Sequence, residues 1–178
     1  MRFLVGEALD MDLTDFINRL YAMLPSLAIM ADIETLPPVT AQMSNSASPQ
    51  RPQTVADMLF RTLHLVFTRR AAGSASPSWR SAAFAKRLLT ASLLWPPDTA
   101  TRAIAFVGDL VERDPKLEAL LSTEDRSVNG VYRPEVDDPQ LCNPFGTNFW
   151  ELHTLARRHC HSRVVEAARK LLHFVPTT

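Results

Sequence analysis

Apolar residues recur along this chain at the three-and-four spacing of α-helices, and no stretch shows a convincing strand pattern. Leu13, Phe16, Ile17, Leu20, Tyr21 and Leu24 form one stripe. Asp12 is placed to cap that helix and Pro25 to end it. Thr54 opens a second helix, with Asp57 in the capping-box position. Its stripe is Val55, Leu59, Leu63, Val66 and Phe67. The third helix, about Ser78 to Trp95, carries two stripes: Ala82, Ala85, Leu89 and Leu93, then Phe84, Leu88, Ala91 and Trp95. That pattern predicts a helix sandwiched between neighbours. Pro96-Pro97 stops it, and Asp98 is placed to cap a fourth, whose inward positions are Ala103, Ile104, Val107, Leu110 and Val111. Asp114-Pro115 reads as the N-cap and first turn of a short helix through Leu121. A sixth helix runs from about Thr147 to Cys160, with Phe149, Leu152, Ala156 and Cys160 inward. Ser162 is placed to cap a seventh, with Val164, Ala168, Leu171, Leu172 and Val175 inward.

Between these helices lie segments without a period. Residues 31–53, rich in Pro, Ser and Asn, read as a flexible insert. AAGSASPS, residues 71–78, is a shorter break. Residues 122–146 form a long polar loop, set by turns at Asn129-Gly130, Asp137-Asp138-Pro139 and Asn143-Pro144. It runs into Phe145, Phe149 and Trp150. Three large aromatics are costly to leave in water, so the loop is expected to lie over a helix groove with the rings buried; the alternative is a disordered connector with only Phe149 in the core. The fold expected is all-α: one helical domain over residues 1–178, its antiparallel hairpins stacked as a HEAT-like or armadillo-like α-solenoid fragment.

Composition narrows the function classes. A chain of 178 residues can bury a core without disulfides, and its two cysteines, Cys142 and Cys160, suit a reducing compartment. Met1 begins either a small soluble protein or a piece of a longer one. No apolar run is long enough to cross a membrane. Net charge is zero but unevenly spread: residues 61–103 carry 7 basic and 1 acidic side chain, and residues 104–142 carry 4 and 9. A neutral total argues against a dedicated nucleic-acid module, while the basic blocks leave room for local contact with rRNA or DNA phosphates. The doublets Arg69-Arg70, Lys86-Arg87, Arg157-Arg158 and Arg169-Lys170 read as solvated cations at helix ends or outer faces.

Catalytic equipment is missing from the pattern. Cys142, His153, His159, Cys160 and His161 lack the paired spacing that converges four ligands on zinc. There is no nucleophile elbow and no phosphate-binding glycine loop. Asp137 and Asp138 read as loop carboxylates that are solvated or cap a turn. No metal, cofactor or small-molecule substrate is expected.

One stretch carries a resemblance. NGVYRPEVDDPQLCNPFGTNFWELHTLARRHCHSRVVEAARKLL is similar to the CCAAT-binding-factor-type domain of nucleolar complex-associated proteins, within that group the branch of the third member. Pro134, Glu135, Asp137, Asp138, Pro139, Leu141, Asn143, Pro144, Phe145, Thr147, Trp150, Glu151 and Leu152 match the family's loop-and-helix motif. Upstream, SWRSAAFAKRLLTASLLWPP resembles another of its helices. HCHSRV departs from the family's HYHPxV, with Cys160 and Ser162 in place of the aromatic and the proline. The resemblance implies a non-catalytic scaffold in biogenesis of the large (60S) ribosomal subunit, in the nucleolus and nucleus. Its implied partners are the second member of the family and pre-60S particles. A chromatin-associated role in DNA replication initiation is the alternative it implies.

Overall fold

The computed structural model describes residues 3–36, 53–68, 76–123 and 130–173. The side chains of Asp12 and Leu13, the bulk of the 31–53 insert, Asn129 and Val175 lie outside the described residues. The architecture is all-helical, as expected: α1 (Phe3–Ala28), α2 (Val55–Thr68), α3 (Ser78–Ser92), α4 (Pro97–Arg113), α5 (Pro115–Glu118), α6 (Trp150–Arg158) and α7 (Ser162–Leu172). A 3-10 turn spans Pro144–Gly146. No strand occurs among the described residues.

Helix α3 is the centre of the molecule. It packs against α1, α4, α5, α6 and the 3-10 turn. Every residue from Ser81 to Leu89 is buried, which confirms the sandwiched helix read from its two stripes. An aromatic chain links the layers around it: Tyr21 to Phe84 (centroids 5.2 Å apart), Phe84 to Phe67 (5.1 Å) and Phe67 to Phe106 (5.8 Å). Tyr21 stands on α1, Phe67 on α2 and Phe106 on α4. Helices α6 and α7 pair with each other, and α7 closes onto α4. Their partnership survives the departure at HCHSRV.

Several helix ends differ from expectation for identifiable reasons. Helix α1 begins upstream of Asp12 and runs through Pro25 to Ala28. Ile17, Leu20, Tyr21 and Leu24 face the core, but Phe16 is exposed. The reciprocal Thr54–Asp57 box forms as read: Thr54 N–H donates to Asp57 Oδ2 (3.1 Å) and Asp57 N–H to Thr54 Oγ1 (3.0 Å). Asp98 does not cap α4, whose N-cap is Pro96. Glu34 does that work from a distance, its Oε1 accepting from Thr99 N–H (2.7 Å) and Thr99 Oγ1 (2.6 Å). With Ile33 fully buried, the first residues of the expected insert are therefore tied down. Asp114 does cap α5, accepting from Lys116 N–H, though that helix ends at Glu118. Ser162 makes no cap bond; it is the first residue of α7, and His161 precedes it as N-cap. Cys160 is exposed, not inward.

Candidate functional site

The segment 130–151 lies across α3, and the polar centre of that helix holds it. A helix buried all round offers no route to water for a long cationic side chain. Lys86 and Arg87 are nonetheless at its middle, 1% and 6% exposed, so the reading of this doublet as solvated is overturned. A buried cation is tolerated only where its donors are met.

Lys86 Nζ donates to Glu151 Oε2 (2.7 Å) and to the Asn148 carbonyl (2.6 Å). Glu151 is itself fully buried, and its other oxygen accepts from Thr90 Oγ1 at 2.9 Å. The ammonium also sits against the rings of Trp150 (5.2 Å) and Tyr132 (5.6 Å). Burial pushes Lys86 below the usual lysine range, and Glu151 pulls the other way.

Arg87 works on the opposite shoulder. Its Nη2 donates to the carbonyls of Pro134 (3.0 Å) and Val136 (2.9 Å) and to Asp137 Oδ1 (3.0 Å). Its Nη1 donates to the Tyr21 carbonyl at 2.9 Å. That carbonyl is free for a reason legible in the chain: Pro25, four residues on, has no N–H to give it. The guanidinium stacks 3.8 Å from the Tyr21 ring. One side chain thus ties α1, α3 and the loop together, a task suited to the fixed fork of arginine.

Within the loop, the turns fall where proline and Asx chemistry place them. Asp138 Oδ1 accepts from Gln140 N–H (2.8 Å), and Arg133 N–H donates to the Cys142 carbonyl (2.9 Å). Asn143 takes the left-handed conformation (φ 49°) ahead of the 3-10 turn. Gly146 is required by crowding: a Cβ there would lie 2.8 Å from the Tyr132 amide nitrogen. Phe149 N–H donates to the Leu120 carbonyl (2.8 Å), fastening the start of α6 to the end of the α5 region. The Cys142 thiol is buried beside Tyr21, and burial raises both groups above their usual ranges.

The motif residues thus divide. Pro134, Asp137, Glu151 and Leu152 join the packed or hydrogen-bonded contact with α3 and the core, while Asp138, Pro139, Asn143 and Pro144 shape the loop. Glu135 is exposed and Phe145 half-buried. Trp150 is 47% exposed; only Phe149 of the three aromatics is fully buried, correcting the expectation for the others. Leu141 is also exposed. Among the described residues no group of three or more His, Cys, Asp or Glu side chains is placed to hold a metal.

The sequence profile of the CBF/Mak21 family matches residues 2–168. The chain belongs to the CBF/Mak21 family. It is similar to nucleolar complex-associated protein 3 of Saccharomyces cerevisiae, 31% identical over 160 residues, which are 85% of this chain and 23% of that protein. The Schizosaccharomyces pombe protein of the same name is 29% identical over 169 residues, covering 92% and 22%. The nucleolar complex protein 3 homolog of Homo sapiens is 39% identical over 98 residues, covering 55% and 12%. The chain spans less than a quarter of the length of these relatives.

Sequence reasoning missed Lys86, Arg87, Thr90, Tyr21 and Tyr132 as parts of this candidate site. The available signal was their setting. A charged pair at the centre of a helix apolar on two faces has no solvated face to occupy, so it must meet buried acceptors.

Proposed function

We propose that this CBF/Mak21 chain is a non-catalytic interaction module of the nucleolus, acting in assembly of the large ribosomal subunit. In this reading it binds a sister nucleolar complex protein and pre-60S particles. Its helical hairpins are units of an α-solenoid that continues in the longer family proteins. The observation that carries the proposal is the use of the charged groups in the motif. Lys86, Arg87, Glu151 and Asp137 are engaged with one another or with backbone carbonyls, and hold a surface in shape. The names of the similar proteins, all nucleolar complex proteins, support the setting. The alternative in replication initiation is weakened, since two of the seven cations in the basic block 61–103 are buried and unavailable to DNA phosphates.

Affinity purification of the tagged chain from cells tests the proposal. Large-subunit precursor proteins, precursor rRNA and a second nucleolar complex protein are expected to co-purify. Recovery of none of them would contradict it.

A further inference from the structure

Unpaired positive charge gathers on the α6–α7 hairpin. Residues 152–173 hold five Lys or Arg side chains, four of the chain's five histidines and a single carboxylate, Glu166. Arg163 is paired with Asp98 (3.1 Å). The side chains of Arg157, Arg158, Arg169 and Lys170 are exposed and make no ion pair or hydrogen bond among the described residues. Lys86, Arg87 and Arg102, by contrast, are all engaged within the fold.

A groove of about 710 Å³ runs along α7, and His159, Ser162, Arg169, Lys170 and His173 line it together with Glu166. The start of α7 opens on it. No side chain caps that helix, and its first bonds back to the His161 carbonyl come from Val164 and Val165, so the N–H groups of Ser162 and Arg163 are left without a backbone acceptor. His159 Nδ1 accepts from His161 N–H (3.1 Å), which leaves the ring proton of His159 on Nε2 as a donor. Arginine, lysine, a hydroxyl and free N–H groups at a helix start are the groups that contact nucleic-acid phosphates. Ser162 and Arg169 stand two turns apart, about 10 Å along the helix, so a fitting ligand carries negative charge at both places. Val165 is the one aliphatic lining residue, which leaves a protein segment little to bury. Residues 152–173 contain no Phe, Tyr or Trp to stack on bases. On its other side α7 meets α4 in a groove that carries Asp109 and Glu112, so an anion is directed to the outer groove.

We propose that the outer groove of α7 binds the phosphate backbone of a single-stranded stretch of RNA, without base preference, through Arg169 and Lys170. A groove along one helix takes one backbone, not the pair of a duplex. The proposal rests on the reading of the chain as a large-subunit assembly module and names the surface that meets RNA.

The test is fluorescence anisotropy of a labelled, mixed-sequence single-stranded RNA titrated with the purified full chain over a series of salt concentrations. Arg169→Gln with Lys170→Gln should weaken binding about tenfold and reduce the slope of log affinity against log salt by about 1.4, the share of two phosphates. Glu166→Gln, which removes the one carboxylate from the groove, should tighten binding about twofold. The control pair Arg61→Gln with Lys116→Gln, exposed cations on other helices, should change affinity by less than about twofold. Circular dichroism should be the same for all. No binding at low salt, equal losses from the two pairs, no gain with Glu166→Gln, or equally tight binding of polyglutamate or duplex DNA would overturn the groove as an RNA site. Large-subunit precursors that co-purify with a chain unable to bind this RNA overturn this inference and leave the proposed function standing. Groove-dependent RNA binding by a chain that recovers no such precursors does the reverse.

Discussion

Two contacts on opposite sides of the α3–α4 hairpin hold their neighbours by different means. On the α4 side, α7 is held mainly by apolar fit, with Leu171 packed close enough to Gly108 that a Cβ there would lie 3.7 Å from Leu171 Cδ1; the Arg163–Asp98 ion pair across it (3.1 Å) is exposed and contributes little. On the α3 side, segment 130–151 is held by two buried cations and their acceptors. The apolar contact is a sum of many small terms, each removable at a graded cost. The polar one is conditional, because each partner is tolerable in the core only while the other is present.

That difference is sharpest at Glu151. Glu151→Ala should destabilise the chain by about 3–5 kcal/mol in urea unfolding, because it strands the Lys86 ammonium. Replacing both, as Lys86→Met with Glu151→Leu, should return the chain to within about 1 kcal/mol of its starting stability. A double variant as unstable as the single would place the two contacts in one class. Truncations on the α4–α7 side should show no such recovery. Arg87→Lys comes next, at about 2 kcal/mol, since one ammonium cannot reach acceptors on both α1 and the loop. Trp150→Ala should cost about 1 kcal/mol, because the half-exposed ring contributes mainly its stacking on Lys86. A loss near that of a core tryptophan would mean the ring is buried.

The smallest effect is a pH dependence away from both contacts. Hydrogen bonds from Thr54 hold the Asp57 carboxyl below its ordinary value of 3.8. Its contribution is therefore present above that value and is lost as pH falls through the lowered one. Asp57→Asn should flatten the stability curve below about pH 4 by lowering its neutral region slightly, and leave the acid end nearly unchanged.

The same contrast explains what was legible in the chain. Helical period located the seven α-helices of the described residues and most of their inward faces, because apolar burial repeats with the backbone. It placed Leu152, Val164, Ala168 and Leu171 correctly. Capping residues were readable only when donor and acceptor are neighbours. Thr54 and Asp57 sit three apart and form their box, whereas the cap of α4 comes from Glu34, 65 residues away. The site motif was found through resemblance, yet its mechanism was hidden: the acceptors of Lys86 and Arg87 lie 47 to 66 residues away along the chain. Pro25 illustrates the limit. It reads locally as a helix end, but α1 continues past it and the carbonyl it leaves open receives Arg87.

Amide hydrogen exchange on the Arg87→Ala chain tests the pinning of the loop most directly. The amides of Arg133 and Cys142, which bond within the loop, should lose protection by at least tenfold. Those of α7 should keep theirs. Unchanged protection at Arg133 and Cys142, or a uniform loss that includes α7, would contradict a loop held in place by the buried cations of α3.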